Sequence, residues 1–168
     1  ISSTSYLHFW SVDLLPTLLD LAGAPSVEGL DGISFAPVLR GERAAHRDVV
    51  PALHTNERIF NGGPYPIRSV RDERWHYIRT LLPDATFTNT VTEVGQGGWQ
   101  SWVARAADDP FAAARVARYQ HRPAEELYDL DADPAELNDL ASDPASADVL
   151  ARVRGTVEAW MAEQGDRG

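Results

Sequence analysis

The chain has no cysteine and no lysine, a single methionine, and no apolar run long enough to span a bilayer. Without cysteine there are no disulfides, no cysteine-ligated zinc and no thiol nucleophile. Without lysine, all 15 basic residues are arginine. Each therefore offers carboxylate or sulfate oxygens a planar fork where lysine would be a point charge. Arginine bias beside abundant Ala, Gly and Asp is the composition of a GC-rich bacterial genome. Acids outnumber bases 25 to 15, a net charge of −10, which argues against general nucleic-acid binding. The imbalance is local: residues 40–79 hold eight arginines and five acids. The beginning, "ISSTSYLHFWSVDLL", lacks the initiator Met, basic start and apolar stretch of a secretory signal. It reads as the interior of a longer polypeptide or as an end left by processing. No Gly-rich phosphate loop, G-x-S-x-G elbow, kinase signature or H-x-x-x-H pair occurs.

What is present is an ordinary globular composition, 43% hydrophobic over 168 residues, enough for one domain with a core. "SVDLLPTLLDLAG" predicts a turn at 11–15 and a helix over 16–23, with Leu18, Leu19 and Ala22 inward and Gly23 closing it. "GLDGISFAPVLRGE" predicts a loop and one helical turn. Residues 47–55 read as a strand weakened by Pro51, 56–66 as a loop, and 67–81 as a strand pair joined at "RDER". Residues 82–98 read as a long loop. Residues 99–120 read as one or two helices, with Asp109 as cap and Pro110 in first position. "EELYDL" is a strand. The strongest helix covers 143–165, where Val149, Leu150, Val153, Val157, Trp160 and Met161 repeat on one face. The expected fold is α+β, a small antiparallel sheet packed by a long C-terminal helix. The expected division is a segment 1–46 and a sheet unit 47–168.

"RPAEELYDLDADPAELNDLASDP" (122–144) carries eight carboxylates. Asp129, Asp131 and Asp133 start a calcium-loop pattern, but Pro134 and Leu140 stand where it requires Gly and Glu. Interspersed Leu and Tyr argue against disorder. The stretch reads as a strand, an Asp-Pro turn, a short helix and a second Asp-Pro that starts the long helix. Of five histidines, His54 alone stands beside other polar groups at a strand end, next to Asn56 and Glu57, a setting that fits an ordinary turn by spacing and also suits polar ligands. Tyr65, Trp75, Tyr77, Trp99 and Trp102 are read as core rather than as a sugar platform.

Taken in order, "SVDLLPTLLDLAG", "GLDGISFAPVLRGE", "RSVRDERWHYIRTL", "RPAEELYDLDADPAELNDLASDP" and "WMAEQGD" resemble the C-terminal third of a sulfatase. Within that family the likeness is nearest to heparan N-sulfatase. The resemblance implies the C-terminal portion of an alkaline-phosphatase-like fold. It also implies hydrolysis of sulfate esters or sulfamates on sulfated glycans by a formylglycine nucleophile near a calcium ion. The formylglycine arises from Cys or Ser in C/S-x-P-x-R. Here only Ser142 precedes a proline at that spacing, and Ser146 stands in place of the arginine. The family's metal ligands lie upstream of "SVDLLPTLLDLAG". The resemblance therefore implies no catalytic and no metal residue in this chain, calcium only in a complete enzyme, and an N-terminal catalytic domain as partner. It implies substrate contacts at Glu57, at Asn56 where the family carries His, and at Asp166. With His54 from the residue reading, these four form the expected sugar-binding set. Two other readings stay open: a binding module derived from the sulfatase C-terminal domain, and a subunit of a split enzyme.

Overall fold

The structure, a computed structural model, describes residues 10–55, 63–94 and 98–168. Four strands form one antiparallel sheet in the order β1 (Val50–His54), β2 (Ile67–Arg71), β3 (Trp75–Thr80) and β4 (Glu125–Asp129). Pro51 is tolerated because β1 lies at the sheet edge, where a missing ladder donor costs least. The β2–β3 turn falls at "DER", where Asp72 Oδ1 accepts from the Arg74 and Trp75 N–H groups.

Strand alternation divides the sheet into two faces. Val70, Tyr77 and Leu127 point to one face and meet Leu150, Val153 and Val157 of the long helix. That helix begins with a 3₁₀ turn over Pro144–Ser146, capped by Asp143 Oδ1 accepting from Ala145 N–H, and continues as α-helix over Ala147–Glu163. The expected staple is therefore present, with one correction. Trp160 lies outside the cluster beneath the sheet. It sits half-buried at the flank, 6.2 Å from the Trp10 ring. It keeps the helical phase of Val153, but at that turn of the helix its ring meets Trp10 of the N-terminal segment instead of the sheet cluster.

The opposite face carries Ile78, Glu126 and Tyr128 and is closed by residues 82–89 and a helical hairpin, Trp99–Arg105 and Pro110–Gln120. Asp109 caps the second hairpin helix, accepting from Phe111 and Ala112 N–H. A short helix, Thr90–Val94, interrupts the stretch expected to be loop throughout. Asn89 starts it, its Oδ1 accepting from Val91 and Thr92 N–H, a cap too short to register as a helical period. In chain order the α-helices are α1 Leu14–Leu21, α2 Ala36–Leu39, α3 Thr90–Val94, α4 Trp99–Arg105, α5 Pro110–Gln120 and α6 Ala147–Glu163. No short helix forms between the two Asp-Pro pairs. Asp133 Oδ2 instead accepts from Leu137 and Asn138 N–H, and Glu136 takes a positive φ of 54°, which breaks helical continuation.

The first helix departs most from expectation. It starts two residues before Pro16, preceded by a 3₁₀ turn over Ser11–Asp13. Its inward side chains are Asp13 and Thr17, while Leu18 is 63% exposed beside exposed Leu14, Leu15 and Leu21. The polar edge binds because Asp13 is a hub. Its carboxylate accepts from Trp10 N–H and Ile33 N–H at 2.9 Å, His46 Nε2 at 3.1 Å and Arg47 Nε at 2.8 Å. Gly32 approaches so closely that a Cβ there would lie 1.9 Å from the Val12 carbonyl oxygen, so no other residue fits between Asp31 and Ile33 without moving that strand of chain. No helix of the described residues is long and apolar enough to cross a membrane.

Candidate functional site

Arg68 and Asp166 come together at one end of the sheet. Arg68 projects from β2 on the same face as Val70, because the two are two residues apart on a strand. The long helix delivers Asp166 to the same place: Gly165 at φ 67° ends it, and Asp166 N–H bonds back to the Met161 carbonyl. The Arg68 guanidinium then donates in a two-pronged manner to Asp166, Nη2 to Oδ1 at 3.0 Å and Nε to Oδ2. Arg68 is buried and its Nη1 donates to the Ile67 carbonyl at 3.0 Å and reaches the His54 carbonyl at 3.5 Å. The hydrogen bond from Arg68 and a second from Gly168 N–H hold the Asp166 carboxyl below the usual carboxylate range. Asp166 is thus ionised at neutral pH, with three of its roughly four acceptor positions taken.

His54 ends β1 on the other side of Arg68. Its backbone faces that guanidinium, while its ring turns to the opposite face and meets Phe87 edge-on at 5.6 Å. The ring Nε2 is buried without a hydrogen-bond partner among the described residues, a condition that costs free energy unless something else bonds it. Asn56 and Glu57 follow His54 directly and lie outside the described residues. Of the four expected substrate contacts, His54 and Asp166 are therefore placed, 112 positions apart in sequence and joined through Arg68.

Arg68 was not among the expected residues. The signal available for it was weak: an arginine at an inward strand position, which demands a buried acceptor nearby. The other inward charges form structural networks. Glu126, fully buried, accepts from Arg118 Nε at 2.9 Å, Arg122 Nε at 2.8 Å and Tyr128 Oη at 2.8 Å. Burial pushes the Tyr128 hydroxyl up to about 12, with Arg118 opposing and Glu126 adding to the rise. Of the aromatics read as core, Tyr65 and Tyr77 are fully buried, Trp75 and Trp99 partly so, and Trp102 is exposed at 43%. Among the described residues no group of three His, Asp or Glu side chains could hold a metal ion.

No protein-family model matches the chain. Comparison with characterised proteins gives a clear result. The chain is 32% identical over 98% of its length to an ulvan-active sulfatase of Formosa agariphila. It is 29% identical over 93% of its length to a Δ4,5-hexuronate-2-O-sulfatase of Bacteroides thetaiotaomicron. It spans 30% and 24% of those two proteins. Among solved structures, a 2-O glycosaminoglycan sulfatase superposes with a TM-score of 0.61 at 28% identity, covering 92% of this chain and 25% of that one. In sequence and in fold, the chain resembles the C-terminal portion of the alkaline-phosphatase-like sulfatases.

Proposed function

We propose that this chain is the substrate-facing C-terminal part of a sulfohydrolase acting on sulfated glycans, and that it is inactive alone. The observation that carries the reading is the corner at His54, Arg68 and Asp166, set in a chain that matches an ulvan-active sulfatase along almost its whole length. The corner suits a sugar. An ionised carboxylate accepts from hydroxyls, an immobilised guanidinium orients that carboxylate, and the segment carrying Asn56 and Glu57 leaves directly from His54. Two relatives are named for ulvan and for the 2-O-sulfate of a hexuronate, which favours a sulfate ester as the bond cleaved. The likeness to heparan N-sulfatase sets N-sulfoglucosamine, a sulfamate, as the narrower alternative.

The division of labour follows from composition. With no cysteine, and with Ser142 out of context, a formylglycine nucleophile belongs to sequence outside this chain. The described residues do not fit calcium either, so the ion that the family resemblance implies is assigned to the same missing part. The exposed Leu14, Leu15, Leu18 and Leu21 supply the face against which that part packs. The work of these residues is then to bind and orient the sugar.

The test uses the protein in which this chain is joined to its catalytic part. Sulfate release is measured from ulvan and glycosaminoglycan oligosaccharides, from N-sulfoglucosamine and from a chromogenic aryl sulfate. Glu57→Gln and Asp166→Asn each remove a charged acceptor, an interaction of about 1.5–3 kcal/mol. They should lower kcat/KM on the sugar roughly tenfold to a hundredfold while sparing the aryl sulfate. The 168-residue chain alone should release nothing. Turnover by the chain alone, or equal kinetics of the variants on both substrate types, refutes the assignment.

A further inference from the structure

The α4–α5 hairpin presents aromatic rings that stand exposed among the described residues. Trp102 and Phe111 are 43% and 54% exposed, their centroids 6.4 Å apart. Beside them opens a pocket of about 440 Å³ walled by Trp99, Trp102, Val116 and Tyr119, with Arg115 as its charged member. Apolar aromatic walls with one convergent polar group are the usual make-up of a ligand pocket, and this volume lies in the usual range.

Arg115 identifies the ligand chemistry. Its guanidinium lies over the Phe111 ring, 5.5 Å from the centroid, and its Nε is buried with no hydrogen-bond partner among the described residues. Neighbouring arginines are satisfied: Arg105 pairs with Asp109 at 2.7 Å, and Arg118 pairs with Glu126 and Asp139. Among the described residues Arg115 is therefore a fixed cation without a counter-charge, next to flat apolar rings. We propose that this hairpin binds the chain of an anionic polysaccharide. The C–H faces of the sugars stack on Trp102 and Phe111, and a uronate carboxylate or sulfate meets Arg115.

Other occupants fit less well. An apolar protein surface would seal Arg115 away with no partner, at a desolvation cost. A second copy packed isologously would bring the same patch, with its Arg115, against the first. Three ring contacts of 5.0, 5.5 and 5.6 Å lead from Trp99 through Tyr119 and Phe87 to His54. The hairpin thus shares a sheet face with the His54 ring, opposite the face that carries Arg68 and Asp166.

This inference rests on the sulfated-glycan reading, and the experiment separates the two. The complete protein is run by affinity electrophoresis through gels containing ulvan, heparin or a neutral glucan. Retardation is expected with the sulfated polymers and not with the glucan. Trp102→Ala and Arg115→Gln should each weaken it at least tenfold, with unchanged melting, while Arg43→Gln at a remote exposed position should not. On a sulfated disaccharide both hairpin variants should keep the parental kcat/KM, and on the polymer they should lose it. Equal retardation of parent and variants, equal retardation by the glucan, or self-association abolished by Trp102→Ala overturns the proposal. Sulfate release from the disaccharide without polymer retardation overturns this surface alone. Absence of both overturns the sulfohydrolase reading as well.

Discussion

Asp13→Ala should loosen the whole N-terminal segment from the sheet. The fully buried carboxylate joins Trp10, Ile33, His46 and Arg47. Removing it strands Arg47, whose side chain is only one-fifth exposed, and leaves two backbone N–H groups without acceptors. Breaking a buried ion pair costs about 3–5 kcal/mol because the surviving charge stays desolvated. At about 2–4 °C per kcal/mol for a protein of this size, the melting temperature should fall by roughly 6–20 °C. The assay is calorimetry of the chain with and without the substitution, joined to limited proteolysis, which should cut residues 10–46 first. The same carboxylate predicts a pH dependence. Burial alone would raise its pKa, but hydrogen bonds from Arg47, Trp10, Ile33 and His46 outweigh it and hold the group well below the usual range. A depressed folded value means the contribution is complete above the unfolded value near 4 and is lost as pH falls through the folded one. The gap between parent and Asp13→Ala should accordingly be constant near neutrality and narrow in strong acid. A stability loss under about 0.5 kcal/mol, the scale of neutral surface changes, would refute the hub.

Leu127→Ala empties the centre of the cluster between the sheet and α6, where Leu127 is fully buried. It should cost about 2–5 kcal/mol in urea unfolding, and a near-neutral result would mean that α6 does not pack as described. The chain alone should self-associate through α1. Leu15→Glu together with Leu18→Glu, both at exposed positions, should shift it toward monomer in sedimentation; a parent chain already monomeric at high concentration removes that face from the argument.

Local grammar was legible in the sequence because its rules act within a few residues. Asp109-Pro110 and Asp143-Pro144 start the two longest helices as read, each Asp accepting from backbone N–H groups. Gly23 and Gly41 end their helices at positive φ. The strand pair around "RDER" and the strand in "EELYDL" stand where β-branched and aromatic residues put them. The ordered motifs also carried the likeness to the C-terminal part of sulfatases. What the sequence could not decide depends on partners far along the chain. Periodicity marks the apolar stripe of α1 but cannot tell whether anything covers it. In this chain the leucines face outward, and the edge bearing Asp13 is held by residues as distant as Arg47. The same limit applied to Trp160, whose flank position depends on where Trp10 comes to rest. It applied above all to the corner. His54 and Asp166 stand in separate stretches of sequence, and nothing in either neighbourhood points to Arg68, because a two-pronged ion pair across 98 residues exists only once the sheet and the long helix have packed.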